Sequence, residues 1–353
     1  MKFGMFHIAP WHESRTAEQT LAEALEGIEL ADGLGFEGVW LGEHHFSRHG
    51  ILSGIFSFAG HVAARTKNMR IGTAVVVLPF HNPILVAEEA AMLDVLSGGR
   101  LDLGVGAGYQ RMEFNGIGVD IEESRDRFSE YLDVMIEAWT KETVTYHGKF
   151  VNIDDVWVIP KPVQKPHPPL YVAVSTSPAS ADAAAKRGLP VILGGPTATM
   201  GQASEALATW RARMEHYGHP HAHLDPPVLM NVYVAPTKEE AERDPAGFEN
   251  FTVNVLAKVG SPARKDGTFP AGYESWATRQ QDREIASTSG TRRLSGTPDM
   301  VIEQVEKFRA QGINHIFGWF GFPGMPHDKV MRSIDLFATK VMPAFAQKQP
   351  APR

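Results

Sequence analysis

The sequence predicts an α/β fold: a (β/α)8 TIM barrel with insertions. Three observations predict it. Apolar runs of strand length alternate with stretches of helical period along nearly the whole chain. Eight runs of each kind can be counted. The 353 residues suit a barrel of about 250 residues plus excursions. Right-handed βα units in that number close on themselves. An open doubly wound sheet is the alternative, and the count favours the barrel.

In order, residues 2–9 read as the first strand, and 17–34 as a helix with Leu21, Leu25, Ile28 and Leu34 near one face. Residues 38–44 are the second strand, followed by a helix over 55–66. The run MRIGTAVVVLP is the third strand, apolar throughout as a strand covered on both faces should be. Asn82-Pro83 then opens a helix, with asparagine as the cap and proline in the first turn. The fourth strand is LDLGVG, and a helix covers 125–140. Residues 141–168 break the rhythm, with a short hairpin around His147-Gly148 and a proline-rich stretch after it. Alternation resumes with strands at 170–175, 190–195 and 228–235 and helices at 178–187, 199–217 and from 237. Residues 244–296 carry no clean period and read as a lid. A helix from Pro298, a strand at 315–320 and a helix over 326–346 complete the count. Residues 1–353 thus read as one domain with insertions at 141–168 and 244–296.

Composition narrows the function. Hydrophobic content of 43% supports a large core. The net charge of −7 comes without a basic block, which argues against nucleic acid or an anionic membrane as partner. No apolar run reaches membrane-spanning length, and MKFGMFHIAP reads as a strand with no signal-peptide core. The absence of cysteine excludes disulfides, thiol nucleophiles and thiolate metal sites. A cytoplasmic enzyme is the expectation.

In a barrel the site lies at the carboxyl ends of the strands. The fourth strand ends in Gly104, Gly106 and Gly108, followed by Tyr109, Gln110, Arg111 and Glu113. Such glycines allow close approach of a bound group, or simply tight packing. The dinucleotide pattern G-x-G-x-x-G fails, because Tyr109 or Arg111 stands where the third glycine belongs. Ser175-Thr176-Ser177-Pro178 ends the fifth strand. Ser177 reads as a helix cap, and the helix start behind it as an anion site. Glu43-His44-His45 ends the second strand. Neighbouring histidines face opposite ways on a strand, so one of them faces the mouth and a metal would need further ligands. A mouth-facing histidine suits acid–base work, and its neighbour suits the core.

At these residues the chain resembles the bacterial luciferase-like flavin monooxygenases. The likeness runs through MKFG, GFEGVWLGEHHF, GTAVVVLPFHNP, MLDVLSGGRLDLGVGAGY, IEESR, GLPVILGG, SGTPDMVIEQVEKF and GMPHDKVMRSIDLF, nearly the whole chain. The resemblance implies FMN at the barrel mouth, with His44 as the histidine beside the flavin. It implies a non-proline cis peptide at Ala74-Val75 under the flavin ring. Gly106, Gly108 and Tyr109 then line the flavin, with the 108–109 loop offering N–H groups to the phosphate. Thr176 and Ser177 form the phosphate-binding turn. Where luciferase has an arginine against the phosphate this chain has Ala107, which shifts that task to N–H groups, Ser177 and Arg111.

The activity implied is oxygenation of a small, largely apolar substrate through a C4a-peroxyflavin, with reduced FMN supplied by a separate NAD(P)H:flavin reductase and with O2 as co-substrate. Phe6, Trp11, Phe46, Phe56, Trp319 and Phe322 are candidates to wall the substrate pocket. A homodimer through helices near the second and third strands is implied as well. An F420-dependent dehydrogenase or reductase is the alternative, and a non-catalytic flavin-binding protein the third reading.

Overall fold

A computed structural model of the chain describes residues 1–174, 178–194, 200–220, 223–246, 248, 251, 254–255, 258, 260–270, 273 and 293–346. Its centre is a closed ring of eight parallel strands. These are β1 (Lys2–His7), β2 (Gly38–Leu41), β3 (Arg70–Thr73), β5 (Leu101–Gly106), β8 (Leu170–Val174), β9 (Val191–Gly194), β10 (Val228–Val234) and β12 (His315–Phe320). Closure is made at β10, where Val228 is in register with Leu193 of β9 on one edge and Ile316 of β12 on the other. β12 then pairs with β1, Lys2 opposite His315.

The helices cover this ring as the apolar periodicity requires. They are α1 (Ala17–Gly33), α2 (Ile55–Arg65), α3 (Pro83–Leu96), α4 (Arg111–Ile117), α5 (Ser124–Thr140), α6 (Pro178–Lys186), α7 (Met200–His216), α8 (Lys238–Arg243), α9 (Pro298–Ala310) and α10 (His327–Leu336). Asn82 caps α3 as expected, its side chain accepting from the Ile84 N–H at 2.9 Å. Thr16 and Gln19 form a capping box on α1. The hairpin at 141–168 is present, with β6 (Val144–His147) antiparallel to β7 (Asn152–Val156).

Four expectations need correction. The third strand does not run through MRIGTAVVVLP. It breaks after Thr73 and resumes as β4 (Val76–Val77), because the Ala74–Val75 peptide is cis and turns the chain. The second strand ends at Leu41, before the Glu43-His44-His45 run. The polar loop after the glycines is the short helix α4. The last residues of the 244–296 insertion form a ninth parallel strand, β11 (Arg293–Gly296), in register with Asn231–Val234. β12 holds the other edge of β10 through Val232, so β9 and β11 share one edge, one above the other.

The barrel interior is aromatic. Phe6 meets Trp319 at 5.7 Å and Phe317 at 5.8 Å, both edge to face. Trp40, Ile8, Ile192 and Leu229 complete this cluster, with Ala74 and Val75 half-buried against it. The floor of the mouth is therefore apolar. Among the described residues, no helix is long and apolar enough to cross a membrane.

Candidate active site

Two glycines make room for the cis step. A Cβ at Gly104 would run into the Thr73 carbonyl oxygen, and one at Gly106 would lie 2.7 Å from Val75 Cγ2. Thr73 locks the approach: its Oγ1 donates to the Gly104 carbonyl at 2.7 Å and accepts the Gly104 N–H at 2.9 Å. The tight-packing reading of these glycines thus holds. What they pack is the Ala74–Val75 ledge itself.

Beside the ledge the chain leaves β2 and presents Glu43, His44 and His45. Glu43 is buried. Its Oε1 accepts from His45 Nε2 and His81 Nε2, each at 2.7 Å, and its Oε2 from the Val77 N–H at 2.7 Å. Burial would raise its carboxyl, but the hydrogen bonds from His45 and His81, the His81 charge and the Val77 N–H hold it below the ordinary carboxylate range. The bond to Glu43 in turn raises His45, against burial.

His44 turns the other way, toward α4. Its Nδ1 lies 3.0 Å from Glu113 Oε1, which also accepts the His45 N–H at 2.8 Å. The Gln110 amide end lies 3.2 Å from both His44 Nδ1 and the Tyr109 hydroxyl. A carboxylate oxygen only accepts, so Nδ1 is the ring nitrogen that carries a proton toward Glu113. Beneath the His44 ring His49 packs edge to face at 4.5 Å, its pKa pushed well below 6.5 by burial and then by the His44 charge.

At the next loop Gly108 takes φ +74°, a left-handed conformation that favours glycine. Tyr109 is half-buried and packs with Phe80, Phe114 and Phe269. Arg111 starts α4 and donates through Nε to the carbonyls of Pro262 and Ala263, at 3.1 and 2.8 Å.

Arg125 is a cation at the first turn of α6. Its Nη1 reaches Ser180 Oγ at 3.5 Å, and its guanidinium lies over the Tyr273 ring at 5.1 Å. Thr176 and Ser177 lie outside the described residues; β8 ends just before them and α6 begins just after.

Of the six aromatic candidates, Phe6 and Trp319 lie in the interior beneath the ledge. Phe56 packs into the outer core from α2, and Phe322 joins a cluster around Tyr233 and Met325. Trp11 lies under Arg48, 4.5 Å from its ring centre, and Phe46 is 60% exposed. Sequence reading assigned no role to Glu113, Arg125 or Tyr273. Arg125 had a signal, its place in IEESR.

A family profile described as luciferase-like monooxygenase matches residues 1–315. The oxygenase component of a flavin-dependent trigonelline monooxygenase from Acinetobacter baylyi is 27% identical over 367 residues, covering 99% of this chain and 97% of its own. The structure of monooxygenase RslO1 from Streptomyces bottropensis superposes with a TM-score of 0.84 at 30% identity, over 98% of this chain and 100% of that one. A shorter match, 34% identical over 180 residues to the uncharacterised protein y4vJ of Sinorhizobium fredii, spans half of this chain and 51% of that protein. With the ledge, the histidine pair and the closed barrel in place, the conclusion follows: this chain belongs to the luciferase-like monooxygenase family.

Proposed function

We propose that the protein is the oxygenase of a two-component flavin monooxygenase. It takes reduced FMN from a separate NAD(P)H:flavin reductase and, with O2, places one oxygen atom on a small, largely apolar organic substrate. The observation that carries the reading is the meeting of an apolar aromatic floor, a half-buried Ala74–Val75 ledge and an oriented imidazole at one end of the barrel. Family membership and the printed description of the Acinetobacter relative support it.

The residues fit the cofactor. The ledge over Gly104 and Gly106 gives a flat ring an apolar seat. Arg125, the 108–109 loop and the start of α6, with Thr176 and Ser177 before it, would hold the phosphate. Arg125 thereby supplies the positive charge that Ala107 lacks. When bound, the reduced ring supplies two electrons and the site at which O2 is activated. His44 Nε2 takes or returns a proton at the mouth. Glu113 keeps that imidazole in the tautomer with Nδ1 protonated. The aromatic floor excludes water. The 244–296 insertion as a cover for the mouth belongs to this proposal; residues 274–292 of it lie outside the described residues, and 262–263 dock on α4 through Arg111.

A homodimer through α3 belongs here as well. On that helix Leu85, Met92 and Leu96 are 57%, 50% and 72% exposed along one stripe.

The His44–Glu113 couple would equally accept an alcohol proton during hydride transfer to F420, so dehydrogenation is the second reading. An anaerobic titration separates the two. Reduced FMN is expected to bind at least about tenfold more tightly than F420, a difference of ~1.4 kcal/mol. Tighter binding of F420 would overturn the reading.

A further inference from the structure

Residues 260–270, together with Tyr273, lie against the loop that follows β5 and are fixed there at several points. The Ser261 carbonyl accepts the Arg111 N–H at 3.4 Å. Arg264 grips both oxygens of Glu122 at 2.8 Å. Phe269 packs among Phe114, Tyr109 and Phe80. The last contact is the informative one. Tyr273, 4% exposed, places its hydroxyl 2.6 Å from the Gly108 carbonyl and 3.1 Å from Ser124 Oγ, while Arg125 lies over its ring.

A carbonyl can only accept, so the tyrosine O–H donates to Gly108 and accepts from Ser124. The Gly108–Tyr109 peptide is trans and planar. Its N–H therefore points opposite to its C=O, away from Tyr273. Gly108 is at φ +74°, where glycine moves freely between basins, so an external tether is needed to fix that peptide plane. The same ring supports the guanidinium that reaches Ser180 in the first turn of α6.

We infer that Tyr273 is a positioning residue of the cofactor's phosphate site. It aims the Tyr109 N–H through its hydroxyl and seats Arg125 on its ring, so the insertion completes the anion pocket. This rests on the FMN reading above.

The test compares FMN with riboflavin, which has the same ring and no phosphate. Binding of both reduced flavins is measured in wild type, Tyr273→Phe and Tyr273→Ala, alongside thermal unfolding. Wild type is expected to prefer FMN. Tyr273→Phe should weaken FMN about five- to tenfold, the scale of one hydrogen bond, and leave riboflavin unchanged. Tyr273→Ala should weaken FMN further. Inorganic phosphate should compete with FMN less well in Tyr273→Phe than in wild type. Equal losses for FMN and riboflavin, or no loss at all, would overturn the inference. If wild type itself binds both flavins equally, it is the cofactor reading that fails.

Discussion

The His44 imidazole owes its orientation to a carboxylate on the other side of the mouth. Glu113 is buried and accepts twice, from the ring and from the His45 N–H. His44→Ala is expected to lower turnover about 100-fold or more while reduced FMN still binds. Glu113→Gln keeps the shape but not the charge; it should lower kcat about tenfold, leave KM unchanged and be partly rescued by Glu113→Asp. Steady-state kinetics check both, and a wild-type kcat in Glu113→Gln removes the carboxylate from the reaction. The opposite facing of His44 and His45 was legible in the sequence, although the reason differs: the strand has already ended at Leu41, and it is the separate carboxylates Glu43 and Glu113 that pull the rings apart. Glu113 itself was hidden, because α4 has seven residues and too few turns to display a period.

Elements with strong local signals were legible at their ends and less so in their middles. The Asn82-Pro83 start of α3 and the alternation of LDLGVG hold in detail. The third strand looked continuous because Ala74 and Val75 are as apolar as their neighbours; nothing in residue type marks the turn of the chain there. What does mark it is across the sheet, in Gly104 and Gly106, a non-local signal that periodicity does not read. α3 shows the reverse case. Its core face of Val86, Ala90 and Leu93 was legible in the sequence, and only the fold shows that Leu85, Met92 and Leu96 point outward. Leu96→Glu is expected to shift the protein from dimer to monomer, with catalytic constants of the monomer measured alongside. Sedimentation that finds wild type already monomeric would overturn the α3 interface.

For the whole molecule, the count of eight βα units was enough to specify the closed ring; the extra strand β11 was not legible, because its pairing with β10 spans an insertion without period. The fold also sets a pH response. Burial, and then a neighbouring cationic side chain, lowers His7 to about 4 and His315 to about 3, and burial holds His49 well below 6.5. Between those values and 6.5 the unfolded chain binds protons that the folded protein does not. Stability is therefore lost as pH falls below 6.5, by up to about 1.4 kcal/mol per pH unit for each group. His45 works the other way: its raised value gives stability that is present below 6.5 and lost as pH rises through its folded value. Urea unfolding between pH 5 and 8 (roughly the range in which histidine titrates) should show a maximum near 6.5, and His7→Gln should flatten its acid side. A curve without an acid slope would contradict the burial of these rings. Finally, β10 holds both feet of the 244–296 insertion. Val234 leads out through α8 to Asp244, which Tyr233 grips at 2.9 Å, and β11 returns onto Asn231–Val234. Lengthening a closed excursion costs only slowly more entropy. An excursion of another length can therefore hang from the same two anchors without disturbing the hoop that carries it.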